Sequence, residues 1–92
     1  MTKKLKEAYD RYLKSDMYSL SDAYGSYSAK KRAAWETCRR FCEERGGENL
    51  KIIGANTHFF SVGFVYTDEG VRKFVYITHA GTHVGKLEDA VG

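Results

Sequence analysis

Two runs rich in aromatic and β-branched residues flank the tripeptide Asp68-Glu69-Gly70. Both runs have the composition and length of β-strands, and the tripeptide is typical of a hairpin loop, in which Gly70 is able to adopt the left-handed conformation. The sequence therefore predicts an antiparallel hairpin with strands over 58–67 and 71–79, and the rest of the chain must fold around it.

The hairpin is predicted to be apolar on both faces. If the loop has three residues, Thr67 pairs with Val71, and one face carries aromatic side chains that include Phe64, Tyr66, Phe74 and Tyr76. A hairpin that is exposed on one face normally alternates apolar with polar residues, and this one does not. The second face therefore needs a cover, such as a second copy of the chain, another protein, a flat ligand or stacked bases. The alternative is that the C-terminal tail and the first helix bury it.

Two amphipathic helices are predicted before the hairpin. Residues 2–14 place apolar side chains at steps of three and four, with charged residues between them. Residues 28–45 follow the same pattern around Trp35, and Gly46-Gly47 is typical of a helix C-terminus. Each helix therefore has one apolar face to bury.

The remaining segments complete one small domain, residues 1–92. A short strand is predicted over 50–53, followed by a turn that begins at Gly54, and the tail is expected to add a fourth short strand and a turn of helix at 86–90. The predicted class is α+β with the element order ααβββ. We expect both helices to pack on one face of a three-stranded antiparallel sheet, or of a four-stranded one if the tail joins.

The composition excludes several functional classes. Apolar residues make up 42% of the 92 residues and charged residues 29%, so the chain is not predicted to be disordered. No apolar run approaches the roughly 20 residues of a membrane helix, and we expect a cytoplasmic protein that has no membrane partner. The net charge of +3 is small for a dedicated nucleic-acid binder.

The strongest charged feature lies in the second helix, where one acidic residue, Glu36, accompanies five cations within residues 28–40: Lys30, Lys31, Arg32, Arg39 and Arg40. Such a cluster binds phosphates or acidic partners, or simply forms a solvated helix face. The predicted binding residues are these five cations, Arg72, and the four aromatic residues of the hairpin face: Phe64, Tyr66, Phe74 and Tyr76.

The cysteines and histidines are the candidates for catalytic or metal chemistry. Cys38 and Cys42 lie four residues apart, as do His79 and His83, which makes a formal zinc set of two cysteines and two histidines. The alternative is that the thiols are buried and pack as small apolar groups, and metal binding by these four residues stays open. We identify no nucleophile with a base and an acidic partner, so we predict a protein that is not an enzyme and has no cofactor.

Residues 34–38 (AWETC), 60–66 (FSVGFVY) and 74–78 (FVYIT) resemble segments of small accessory proteins carried by bacteriophages and mobile elements of Gram-positive bacteria. Such proteins include inhibitors of host defence, among them anti-CRISPR proteins and sponges for immune signalling nucleotides. The resemblance implies a stoichiometric binder and supplies no catalytic residue.

We therefore expect a non-enzymatic binding protein: a phage-encoded, anti-CRISPR-like inhibitor that occludes a bacterial defence protein and self-associates as a homodimer through its second sheet face. The alternative is a nucleic-acid or nucleotide-binding module, in which the sheet aromatics stack on bases and the helix Lys and Arg residues neutralise phosphates. A steep loss of affinity with salt would favour this alternative.

Overall fold

The computed structural model describes residues 2–15, 29–55, 60–78 and 80–91. These residues form three helices and one four-stranded sheet: α1 (Thr2–Lys14), α2 (Ala29–Glu44), β1 (Glu48–Ala55), β2 (Phe60–Asp68), β3 (Val71–Thr78), β4 (Gly81–Lys86) and α3 (Leu87–Val91). The predicted α+β class is confirmed, and the tail supplies both the fourth strand and a short helix. The turn predicted at Gly54 is wrong because β1 continues through Ala55.

The sheet is an antiparallel meander in the order β1-β2-β3-β4. The β2–β3 loop has two residues rather than the predicted three, because Asp68 pairs with Val71. Glu69 and Gly70 both have positive φ, at 51° and 81°, which is the conformation of a type I′ turn. A non-glycine residue adopts this conformation infrequently, so the sequence did not indicate the shorter loop.

The shorter loop moves the hairpin register by one residue. Phe64 now lies opposite Val75, and Tyr76 lies opposite Gly63. Since successive side chains of a strand point to opposite faces, a shift of one residue exchanges the faces of one strand relative to the other. The prediction that the four aromatic residues share one face is therefore wrong: Phe64 and Tyr66 lie on one face, and Phe74 and Tyr76 on the other.

Each sheet face has its own helical cover. On the face that we call the α1 face, Val65, Phe74 and Tyr76 pack against α1 and α3. On the opposite face, the α2 face, Val62 and Phe64 pack against α2. The prediction that both helices cover one face is wrong. The alternative holds instead, in which the tail and the first helix bury the second face.

Close approach of α2 to the sheet depends on a glycine. Gly46, with φ 64°, ends the helix, and the Gly47 N–H donates a hydrogen bond to the Cys42 carbonyl at 2.8 Å. A Cβ atom at Gly47 would lie 2.6 Å from the Cys42 sulfur and 2.7 Å from the Phe64 ring. The helix end therefore sits directly on the α2 face without room for a side chain there.

The C-terminal end of α1 is anchored to β1. The Tyr12 hydroxyl donates to the Asn49 carbonyl at 2.6 Å, and the Ser15 hydroxyl donates to the Ile52 carbonyl at the same distance. The Lys51 ammonium group donates to the Tyr12 carbonyl at 3.3 Å. Burial raises the pKa of Tyr12 to about 12, with a smaller contribution from Tyr9. These bonds fix α1 across the α1 face and determine where its exposed flank lies.

Candidate anion-binding cleft

A cleft of about 430 Å³ lies between α1 and the sheet, on the α1 face. We call it the α1–β4 cleft. Its described lining comes from one flank of α1, from β2, β3 and β4, and from the turn before β4: Lys4, Glu7, Arg11, Ser61, Tyr76, Thr78, Ala80 and His83. Its volume is within the range of small-molecule sites.

One wall of the cleft is a charged stripe on α1. Lys4, Glu7 and Arg11 are spaced by three and four residues and therefore share one flank of the helix. The buried stripe that includes Leu5 and Ala8 packs against the sheet and orients this flank toward the cleft. None of the three charged side chains forms an ion pair with another residue in the described ranges. The stripe thus leaves two cations and one carboxylate open to a ligand.

At one side of the cleft, aromatic rings of β3 and β4 stack on one another. Tyr76 and His83 are cross-strand neighbours, with ring centroids 4.7 Å apart and planes inclined by 19°. Tyr76 in turn stacks on the fully buried Phe74 at 6.0 Å, and Tyr9 meets Phe74 edge-on at 5.1 Å. The exposed His83 ring is therefore held at the end of a packed aromatic series, which gives the cleft a firm planar surface.

Hydroxyl groups complete the lining. Ser61 and Thr78 lie on the same face of neighbouring strands, and the Thr78 hydroxyl accepts a hydrogen bond from the Ala80 N–H at 3.1 Å. Cations, a flat ring and hydroxyls in one concave site are the groups that bind an anion attached to a planar ring. Among the described residues, no hydrogen bond joins the Ser61 hydroxyl to the His83 ring.

The predicted aromatic residues lie in separate environments. Phe64 and Phe74 are fully buried on opposite faces, and Tyr66 lies half-buried beside Phe64 on the α2 face. Tyr76, which is 8% exposed, is the one of the four that lines the cleft. The four rings therefore do not form the common stacking platform that the sequence suggested.

Of the predicted α2 cations, Arg39 and Arg40 do not line the cleft. Arg39 forms ion pairs with Glu36 and Glu43 on its own helix, and its hydrogen bond to Glu36 lowers the pKa of that carboxyl. Arg40 is exposed. Three further cations belong to α2, but their side chains lie outside the described residues: Lys30, Lys31 and Arg32. The described part of α2 thus presents a charge pattern that is largely balanced within the helix.

Arg72 is also engaged within the chain. Its guanidinium donates to the Glu48 carboxylate at 3.0 Å and to the Thr67 hydroxyl at 2.9 Å. The neighbouring Lys73 bonds Asp68 at 2.8 Å, and that hydrogen bond raises the pKa of Lys73. These strand cations stabilise cross-strand contacts, in contrast to Lys4 and Arg11, for which the described part of the chain supplies no ion-pair partner.

The sheet separates the two cysteines from His83. Cys42 is buried and Cys38 half-buried on the side of α2 that packs against the sheet, and burial raises the pKa of both thiols. His83 stacks on the opposite face, and His79 lies outside the described residues. Cys38, Cys42 and His83 therefore cannot share one metal ion. No group of three potential metal ligands occurs in the ranges that the structure describes.

Sequence reasoning missed most of the cleft. Lys4, Glu7 and Arg11 were recognisable as one helix flank from their spacing alone. This flank lines a cleft only because α1 packs across the sheet near Tyr76 and His83. The sequence did not predict that packing, because it depends on the hairpin register. Thr78 gave no signal in the sequence.

Comparisons with known proteins add no relative: no family model, no curated protein and no solved structure matches the chain. Across the described helices, none is long and apolar enough to cross a bilayer.

Proposed function

We propose that the protein is a non-enzymatic binding module for a mononucleotide, a small ligand that joins a phosphate to a planar base, held in the α1–β4 cleft. One observation carries the proposal. Lys4 and Arg11, which form no ion pair with any described residue, line the same concave site as the His83 ring, which is stacked on Tyr76. This is the nucleotide-binding alternative of the sequence analysis, transferred from the open sheet to a cleft.

The dimensions of the cleft suit such a ligand. Lys4 and Arg11 are seven residues apart on a helix that rises 1.5 Å per residue, so their backbones are separated by about 10 Å along the axis. Charge-assisted hydrogen bonds from ammonium and guanidinium groups are the strong contacts that hold a phosphate. The base would stack on the exposed face of His83, since aromatic side chains and bases prefer offset parallel packing.

The Glu7 carboxylate limits how much negative charge a ligand in the cleft can carry. It lies between Lys4 and Arg11 on the helix flank, where its carboxylate would oppose a long polyphosphate and would accept hydrogen bonds from sugar hydroxyls. We therefore expect a ligand with a single phosphate group to bind more tightly than a triphosphate with the same base.

Isothermal titration calorimetry with adenosine monophosphate and with adenosine tests the proposal. We expect adenosine monophosphate to bind with an affinity that falls as salt rises, and adenosine to bind at least about tenfold more weakly, because it lacks the charge-assisted contacts. Arg11→Ala and Lys4→Ala should each weaken binding of the monophosphate by about tenfold or more. Lys6→Ala, an exposed lysine on α1 that does not line the cleft, is the matched control. Equal affinity for the two ligands, or unchanged binding by Arg11→Ala, would overturn the proposal.

Inhibition of a bacterial defence protein stays a prediction that rests on the resemblance. The occlusion mechanism relied on an exposed aromatic face, and both faces are covered by helices. Sponges for immune signalling nucleotides bind without turnover, and they are the class within the resemblance that agrees best with an anion-binding cleft. Titration of the parent and of Arg11→Ala with adenosine monophosphate separates a nucleotide sponge from a protein occluder. Only the sponge is expected to bind the nucleotide and to lose affinity when Arg11 is removed.

A further inference from the structure

The two edges of the sheet differ in regularity. The pairing of β1 with β2 is interrupted by two register shifts, and Asn49 on β1 has a positive φ of 56°. The pairing of β4 with β3 is continuous from Gly81 to Lys86. Bulges protect a sheet edge from further pairing, whereas a regular exposed edge is a template for another strand. β4 is therefore the edge that is suited to strand addition.

The direction of the free backbone groups of β4 follows from its turn. Thr78 and Gly81 flank a two-residue connection, so they form a hydrogen-bonded pair, and alternate residues of β4 then bond β3. The groups of Gly81, His83 and Gly85 point toward β3. The N–H and C=O groups of Thr82 and Val84, and the N–H of Lys86, consequently point away from the sheet, whereas the Lys86 C=O accepts the first hydrogen bond of α3.

We infer that β4 pairs antiparallel with β4 of a second copy of this chain, about a two-fold axis through Val84. In this register Val84 lies opposite its own counterpart and exchanges two hydrogen bonds with it, and Thr82 lies opposite Lys86, so that each Lys86 N–H meets the Thr82 C=O of the other copy. No lysine faces another lysine across the axis, and the His83 ring lies opposite Gly85, beside the Leu5 side chain that packs over that glycine. The pairing also covers the Val84 side chain, which is 50% exposed in the single chain.

This dimer is independent of the proposed ligand. A two-fold axis perpendicular to the sheet keeps equivalent faces on the same side, so both α1–β4 clefts open on one surface of the joined sheet. The cleft of each copy is complete without the partner. Loss of the dimer therefore leaves nucleotide binding in place, and loss of nucleotide binding leaves the dimer in place.

Sedimentation equilibrium over a range of concentrations tests the inference. We expect the mass to rise with concentration to twice that of one chain. Val84→Lys should raise the dimer dissociation constant by about tenfold or more, since it sets two cations against each other on the axis. The matched control is Val91→Lys, at a position on α3 that is 66% exposed, which should dimerise as the parent does. A parent chain that stays monomeric at millimolar concentration, or a Val84→Lys variant that dimerises equally well, would overturn the inference.

A second variant separates loss of pairing from loss of folding. Residues opposite each other in a hydrogen-bonded antiparallel pair have Cα atoms about 5.5 Å apart, which suits a disulfide. Val84→Cys should therefore form a disulfide-linked dimer under mild oxidation, whereas Val91→Cys and the parent, with Cys38 and Cys42, should not. Absence of the Val84→Cys dimer in a chain that keeps the parent circular dichroism spectrum would also contradict the two-fold register.

Discussion

The two faces of the sheet are built from similar residues but differ in what lies at their border. On the α2 face, Phe64 and Val62 are sealed beneath a helix whose Arg39 is neutralised by neighbouring carboxylates. On the α1 face, the buried Phe74 begins a series of rings that ends at the exposed His83. The rings of the α2 face thus belong to a core that α2 covers, whereas those of the α1 face lead to the α1–β4 cleft.

This difference shows that aromatic content does not separate a core from a binding site. The separation depends on whether the charged groups at the border are paired with each other. Arg72 and Lys73 bond carboxylates within the sheet, while Lys4 and Arg11 have no ion pair in the described part of the chain. A concave site that brings Lys4 and Arg11 beside the stacked His83 ring is the feature that makes the α1 face the functional candidate.

The largest expected effect comes from removing a ring from either face. Phe64→Ala and Phe74→Ala each delete a fully buried ring, so each should lower the free energy of unfolding by about 3–5 kcal/mol, measured by urea denaturation. The faces should differ in binding, because Phe74 supports Tyr76 and Phe64 does not. Under conditions where both variants remain folded, calorimetry should find weaker nucleotide binding for Phe74→Ala alone. Equal weakening by Phe64→Ala would remove the distinction between the faces.

On each face of the sheet, a glycine lies where a helix packs closely against the sheet. A Cβ atom at Gly47 would lie 2.6 Å from the Cys42 sulfur on the α2 face, and one at Gly85 would lie 2.6 Å from Leu5 on the α1 face. Gly47→Ala and Gly85→Ala should each cost about 1–3 kcal/mol of unfolding free energy in urea. Gly54→Ala, which meets no atom within 4 Å, is the control and should change stability by less than about 0.5 kcal/mol. A control that loses as much as the other two would show that close packing is not the cause.

A smaller effect is expected at the anchor of α1. Tyr12→Phe removes the hydrogen bond to the Asn49 carbonyl and should cost about 1 kcal/mol at neutral pH. The folded pKa of Tyr12, about 12, lies above its ordinary value of 10, so its stabilising contribution is complete below pH 10 and is lost as the pH rises toward 12. Urea midpoints measured across this range should fall less steeply for Tyr12→Phe than for the parent. Identical slopes would show that the hydroxyl is not buried.

The smallest effect is expected on the surface of α2. Arg39→Ala breaks ion pairs with Glu36 and Glu43 that are exposed and screened by solvent. Because Arg39 lowers the pKa of Glu36, the contribution of this pair is present above the ordinary carboxyl pKa and is lost as the pH falls below it. The urea midpoint should change less than in any variant above, and nucleotide affinity should stay at the parent value. A loss of binding would place the ligand on α2 instead.

The sequence was sufficient for the elements and insufficient for their placement. The 2–14 helix, the glycine stop at Gly46 and the hairpin were predictable because periodicity and turn chemistry are local. The register was not, because it depends on Glu69 adopting a left-handed conformation that its side chain does not favour. That single residue decides which rings share a face, and therefore whether Tyr76 belongs to a platform or to a cleft.

The most direct test of the account is an NMR titration of the isotope-labelled protein with adenosine monophosphate. We expect the resonances of His83, Tyr76 and the α1 stripe to shift in a saturable manner, while those of Phe64 and Cys42 on the α2 face stay unchanged. Shifts that cluster on α2, or none at millimolar ligand, would contradict the claim that the α1 face carries the binding site.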